Sequence, residues 1–288
     1  MTFMGNRINP KKFHKSQIKF YIILVLVAVF MLLPILFIFA HAFKPVNELY
    51  AWPPRFFVRR PSLENFRMLF RITSETGIPF SRYLFNSILV SFLGVVLTVF
   101  ITSLAAYGLS KLKFRGRLLL FEINTLALMF VPVAVGIPRY FIIARLGLID
   151  NIFAHILPVI TMPVALFLVK QFIDQIPNEL LESAKIDGAS EMQIYLKIIL
   201  PLIRPAIATV GMLAFQMIWN DVATSGTFFD DESLRTLSFF LANLVGQQGP
   251  QGQGVAAAGA LLMFVPNLVL FIILQSKVIN TMAHSGIK

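Results

Sequence analysis

The sequence predicts an all-α protein, a polytopic membrane bundle of six transmembrane helices with a short polar helical element outside the bilayer. Three observations predict it. The 288 residues are 57% hydrophobic and only 14% charged, with a mean hydropathy of +0.77, so polar residues are too few to cover a water-soluble globule. Apolar windows long enough to cross a hydrocarbon layer of about 30 Å recur along the chain. Between two of them the stretch ELLESAKIDGASEMQIYLKIILP, Glu179 to Pro201, gathers four of the 14 acidic residues. The length allows several spans of about 20 residues each, with no second sizeable soluble domain.

The first window, about 20–43, follows Arg7, Lys11, Lys12, Lys15 and Lys19. Basic residues, an apolar run and Ala40-His41-Ala42 imitate a signal peptide, but Phe20 to Phe39 exceeds the usual apolar region of about 7–15 residues, so a retained span is expected. Further windows lie at about 86–110, 118–138, 152–172, 205–225 and 254–276. Six crossings put both termini on one side. The short loops carry the basic excess, with Lys111, Lys113, Arg115 and Arg117 after the second window, which predicts cytoplasmic termini. Tyr50, Trp52, Phe56 and Phe57 then suit an aromatic belt at the outer face. Prolines are expected to break several spans: Pro34 in the first, Pro132 in the third, Pro158 and Pro163 in the fourth, Pro266 in the sixth. Such breaks are tolerated where neighbouring helices or a water-lined cavity satisfy the freed carbonyls.

The polar stretch reads as two short helices. Pro177 suits a first helical turn, and Asn178 to Ile186 continues with good helix formers. Asp187-Gly188 ends that helix, because glycine accepts the left-handed conformation at little cost. Ser190 and Gln193 match a capping box that opens the second helix. Met192, Tyr195, Leu196 and Ile199 fall at i, i+3, i+4 and i+7, which predicts one apolar face, with Pro201 as the stop. From pattern alone such an element is a membrane-skimming connector or a docking element.

Glu182-Ser183-Ala184, three residues, Gly188, nine residues, Ile198, one residue, Leu200-Pro201 resembles the EAA loop of membrane subunits of bacterial ATP-binding-cassette importers. Ser183 departs from that pattern, standing where the first alanine is usual, and is small enough to preserve helix packing. The resemblance implies that a loop at about 173–201 is the cytoplasmic coupling helix that docks on a separate ATPase, with Glu182, Ser183, Ala184, Asp187, Gly188 and Ala189 as coupling residues. Ala105 to Arg117, Leu146 to Asn151, Trp219 to Asp221 and Met282 to Lys288 resemble the carbohydrate branch, in particular the second permease of maltose-type importers. It covers most of the chain after Asn86. Residues 86–288 are therefore expected as the importer core, and 1–85 as an N-terminal cytoplasmic segment, the first span and an outer loop. The implied partners are a sister permease, two ATPase subunits, an extracytoplasmic solute-binding protein and membrane lipid, in a bacterial inner membrane.

Other function classes find little support. There is no cysteine, His14, His41, His155 and His284 lie far apart, and no metal-ligand spacing occurs. The net charge of +11 accompanies membrane spans, with no basic stripe on a soluble module to suit nucleic acid. No GxxxxGK[ST] phosphate loop exists, so this chain cannot by itself bind ATP in that manner, and the resemblance implies ATP and Mg on partner subunits with no cofactor here. No Ser-His-Asp or paired-carboxylate pattern is evident, which leaves a lipid- or glycosyl-transfer enzyme as the competing class. Within transport, glycerol phosphate is the alternative to a sugar. Asn220 and Asp221 lie about 15 residues into the fifth span, roughly 22 Å along it. With Trp219 they line a sugar-receiving cavity, or else they pair with a neighbouring helix or cap the span. Asn86, Thr98 and Asn267 are weaker pathway candidates. The loop Gly246 to Gly254 is expected outside, without a fixed element, as a linker or a reach into the binding protein.

Overall fold

The computed structural model describes residues 2–3, 6–7, 17–53, 55–75, 77–247 and 252–285. Apart from a two-residue antiparallel pairing of β1 (Thr2–Phe3) with β2 (Asn6–Arg7), the described secondary structure is helical. The chain divides into two compact units, one of residues 1–69 with 247–261 and one of 70–246 with 262–288.

The smaller unit holds α1 (Ile18–Ala42), α2 (Val46–Leu49) and the starts of α3 (Glu64–Glu75) and α15 (Gln253–Ser285). α1 is long and apolar, and no residue of its apolar window is buried by the described residues. It continues through Pro34 without a break. The segment after α1 is fixed by polar ties: Asn65 Nδ2 donates to the carbonyls of Ala42 at 3.0 Å and Lys44 at 2.8 Å. Buried Lys44 donates to the Arg55 carbonyl. The Glu48 carboxylate accepts the backbone N–H groups of Arg59 and Arg60, which hold it below its ordinary pKa.

In the larger unit α4 (Phe80–Lys111) is the axis, packed against α7 (Phe153–Ile160), α8 (Pro163–Asp174) and α12 (Arg204–Trp219). Small residues let α12 approach: a Cβ added at Gly94 of α4 would stand 2.5 Å from Ile218 Cδ1. Val90, Ile156, Val159 and Ile218 form the core towards one end of α4, and Ala106, Tyr107, Val169, Ile173, Ile194, Tyr195 and Ile199 towards the other.

Among the described residues three helices are each long and apolar enough to cross a membrane, α1, α4 and α15, or up to five spans if two bent pairs are each counted as one. The expected count of six is not confirmed by length and composition among them. The window at 118–138 divides into α5 (Arg117–Ala127) and α6 (Gly136–Arg145), with Pro132 in the break. The window at 152–172 bends by 44° between α7 and α8, where Thr161 and Met162 lead into Pro163. Pro158 and Pro266, like Pro34, sit inside continuous helices, against expectation. A proline removes one internal hydrogen bond, and a helix continues through it where its remaining bonds hold the flanking turns. The window at 205–225 stops at Trp219, followed by α13 (Ala223–Phe228) and α14 (Leu237–Gln247). Of the loop expected at Gly246 to Gly254, Gly246 and Gln247 close α14, Gln253 and Gly254 open α15, and 248–251 lie outside the described residues.

Candidate functional site

The polar stretch folds as α9 (Glu179–Ile186), a turn, and α10 (Glu191–Ile194), which runs through a π turn (Tyr195–Ile199) into α11 (Leu200–Leu202). Gly188 stands at φ 82°. Its N–H reaches the Lys185 carbonyl at 3.0 Å while that of Ala189 reaches Ala184 at 2.9 Å, the paired closure of a Schellman motif. The expected capping box is present: Gln193 N–H donates to Ser190 Oγ at 3.3 Å and Ser190 N–H to Gln193 Oε1 at 2.9 Å.

Two details depart from expectation. The apolar face drawn through Met192, Tyr195, Leu196 and Ile199 is split: Tyr195 and Ile199 are buried with Ile194, while Met192 and Leu196 are about half exposed. The π turn adds a residue to one helical turn and so rotates everything after it relative to α10. Pro201 does not stop the helix; it lies in the first turn of α11, and the chain bends by 80° between Leu202 and Arg204.

A polar stripe on α4 holds this element. Ser103, Tyr107, Ser110 and Lys111, at i, i+4, i+7 and i+8, share one helical face. Ser103 Oγ meets Tyr195 Oη at 2.6 Å, and Tyr107 Oη donates to Glu191 Oε2 at 2.6 Å. Ser110 Oγ donates to Asp174 Oδ1 at 2.5 Å, and Lys111 Nζ reaches the Ile176 carbonyl at 2.6 Å and Asn178 Oδ1 at 3.0 Å. Lys185 closes the clamp on Glu191 Oε1 at 2.6 Å. These anchors were not singled out from sequence, although hydroxyls at helical spacing in an apolar segment were the available signal. The other side of the hairpin is open: Glu182, Ser183, Asp187 and Gly188 are exposed, Ala184 and Ala189 half-buried, and Ile186 is 86% exposed. The Glu182 carboxylate has no hydrogen-bonding or ionic partner among the described residues. An exposed rim with isoleucine at its tip suits a protein partner.

The second group of candidates lies where α12 ends. Trp219 is buried, stacked on Phe215, and its Nε1 donates to the Met263 carbonyl at 3.1 Å. Met263 is next to Leu262, whose carbonyl Pro266 cannot serve. Trp219 and Phe215 face an apolar groove of about 640 Å³ between α4, α12 and α15, whose walls include Phe92, Val95 and Pro266. Asn220 is exposed, and Asn267 of α15 donates to its Oδ1 at 3.4 Å. Exposed Gln216 lies one turn earlier on the same face of α12, a residue the sequence reading passed over. Asp221 instead begins the next helix, its carboxylate accepting from Thr224 N–H at 3.4 Å and its carbonyl from Ser238 Oγ at 2.6 Å.

The structure does not bring Asn86 to this group. It is 1% exposed, and its amide donates to the carbonyls of Ser233 at 2.8 Å and Arg235 at 2.9 Å. Arg82 also donates to Ser233, and Ser87 accepts from Leu237 N–H, so this end of α4 holds the segment between α13 and α14. Asp150 supports the same segment, accepting the N–H groups of Asp230 and Asp231. The Asp231 carboxyl lies below its ordinary pKa because the Ser233 hydroxyl and N–H donate to it. Thr98 approaches the Val159 carbonyl at 3.5 Å, as a packing residue does. Among the described residues no cluster of metal-ligating side chains occurs.

The sequence family described as binding-protein-dependent transport system inner membrane component matches residues 3–276. The chain is 31% identical over 266 residues to the trehalose transport system permease protein SugB of Mycobacterium tuberculosis (strain CDC 1551 / Oshkosh), covering 91% of this chain and 94% of that one. It is also 31% identical over 274 residues to the galactooligosaccharides transport system permease protein GanQ of Bacillus subtilis (strain 168), covering 93% and 94%. In fold it is similar to a chain of a bacterial ABC transporter involved in the import of the acidic polysaccharide alginate, with a TM-score of 0.77 at 22% identity over 93% of this chain and 99% of that one. A helical bundle with an exposed hairpin clamped to its axis, together with a family match along nearly the whole sequence, makes this chain a member of the inner-membrane components of binding-protein-dependent transport systems, a multi-pass permease subunit and not an enzyme.

Proposed function

We propose that this permease forms half of the translocation path for a sugar or oligosaccharide and couples it to ATP hydrolysis on separate subunits. The observation that carries the reading is the hairpin of α9 and α10: clamped to α4 on one side, it leaves Glu182, Ser183, Asp187 and Gly188 free on the other. That rim, with Ala184 and Ala189 behind it, is the docking face for an ATPase subunit. Two such ATPases carrying ATP and Mg, a sister permease and an extracytoplasmic binding protein complete the complex. Relatives named for trehalose and galactooligosaccharide transport support a saccharide cargo.

Exposed amides on membrane helices are costly facing lipid, so Gln216 and Asn220, with Asn267 beside them, face the path or the sister subunit. Trp219 supports that wall from behind. Asp221 and Asn86 shape the outer end of the path by holding the segments that frame it. The basic excess in the short loop Lys111 to Arg117 supports a cytoplasmic position for the hairpin end of α4, and with six crossings for both termini. The test is reconstitution of the complete complex in liposomes with the binding protein outside. Sugar-stimulated ATPase and uptake that stops on ATP depletion are expected. Uptake that follows a proton or sodium gradient without ATP would overturn the reading.

A further inference from the structure

The end of α4 that clamps the hairpin also frames two adjoining hollows. The larger, about 830 Å³, has Ser110, Lys111, Lys113, Arg117, Glu182 and Lys185 among its walls. The smaller, about 310 Å³, shares Lys113, Phe114 and Arg117 and continues over Leu118 and Leu119. Their cations are not equivalent. Lys111 is committed to Ile176 and Asn178, and Lys185 to Glu191. Lys113 and Arg117 meet no carboxylate among the described residues, and Arg117 reaches only the Ser110 and Leu112 carbonyls at 3.4 Å. Leu118 and Leu119 follow directly, 71% and 60% exposed, so the two uncompensated charges stand where a polar loop becomes an apolar surface.

We propose that Lys113 and Arg117 hold the phosphate of an anionic phospholipid, with its acyl chain along Phe114, Leu118 and Leu119. The proposal rests on the reading that this end of α4 faces the inner leaflet. Two cations beside an apolar wall gain from a bound anion more than cations in open water, because the surroundings screen them less. The apolar half of the site is what favours a lipid over a free ion. Its placement gives it a consequence for transport: Glu182 and Lys185 line the larger hollow, so a headgroup there props the loop after α4 against α9 and biases the coupling hairpin.

The experiment uses the complete complex in nanodiscs of mixed phosphatidylglycerol and phosphatidylcholine, with retained lipid read by native mass spectrometry and sugar-stimulated ATPase read in parallel. The wild-type complex should retain phosphatidylglycerol in preference. The double variant Lys113→Gln, Arg117→Gln should lose about 30-fold in that retention, from roughly fivefold per cation removed near an anionic surface. The exchange Lys113→Arg, Arg117→Lys should keep it. Equal retention of the two lipids by the wild type, or by the wild type and the double variant alike, overturns the proposal. Displacement by inorganic phosphate as effective as by phosphatidylglycerol assigns the site to a soluble anion and overturns the lipid. Retention is read without transport, so loss of ATP-driven uptake tests the functional reading separately.

Discussion

At Gly188 the question is conformation and not space. The residue sits at φ 82°, and a Cβ added there would meet nothing within 4 Å. Gly188→Val therefore costs about 1 kcal/mol or more from left-handed strain alone, and it relieves that strain by re-aiming α10 relative to α9. Uptake and sugar-stimulated ATPase should fall while the binding protein still captures sugar. Asparagine tolerates the left-handed region, so Gly188→Asn should keep most of both activities. Equal damage by the two substitutions would deny that the turn angle matters. Asn86 poses the opposite case. Asn86→Leu takes the amide donor from the part-buried Arg235 carbonyl and leaves the Ser233 carbonyl to Arg82 alone, a loss of about 1–3 kcal/mol. A lower unfolding temperature of the complex with unchanged sugar preference is expected; altered preference with unchanged stability would return Asn86 to the path.

Among the elements, α4 carries the clearest prediction. Tyr107→Phe removes one of the two groups that hold Glu191 while keeping the ring, and Ser110→Ala detaches Asp174 from α4, leaving it to Lys170. Each loss is worth about 1 kcal/mol. The double variant should still insert and assemble, but its ATPase should run with less dependence on the loaded binding protein; unchanged coupling would reduce the stripe to packing. What the sequence made legible among the elements follows a physical rule. α1, α4 and α15 are long uninterrupted apolar runs, and the ends of α9 and α10 are written in Gly188 and in the Ser190–Gln193 pair, all of them local signals. The π turn leaves no such trace, because Tyr195 to Ile199 is ordinary helical sequence whose register is set by Ser103 and the core around it. The partners of Asn86 were illegible for a similar reason: they lie 147 and 149 residues away. Proline was a poor guide, since Pro34 and Pro266 cost one hydrogen bond each inside helices that otherwise continue, whereas Pro163 coincides with a bend.

For the molecule as a whole, the orientation is testable because the chain has no native cysteine. Cysteines at Lys113 and Glu232 should be labelled from opposite sides of the membrane by an impermeant thiol reagent, and labelling from one side would refute the topology. Those positions lie towards the two ends of α4, which at 32 residues is about 48 Å long. One end is bonded to the hairpin of α9 and α10, the other to the segment between α13 and α14, and Gly94 brings α12 close between them. A partner that favours one position of this helix changes the free energy of every contact along it. Reciprocity then fixes the bookkeeping between the two faces of the membrane: whatever factor the loaded binding protein adds to ATPase affinity through this helix, a docked ATPase must return to the binding protein.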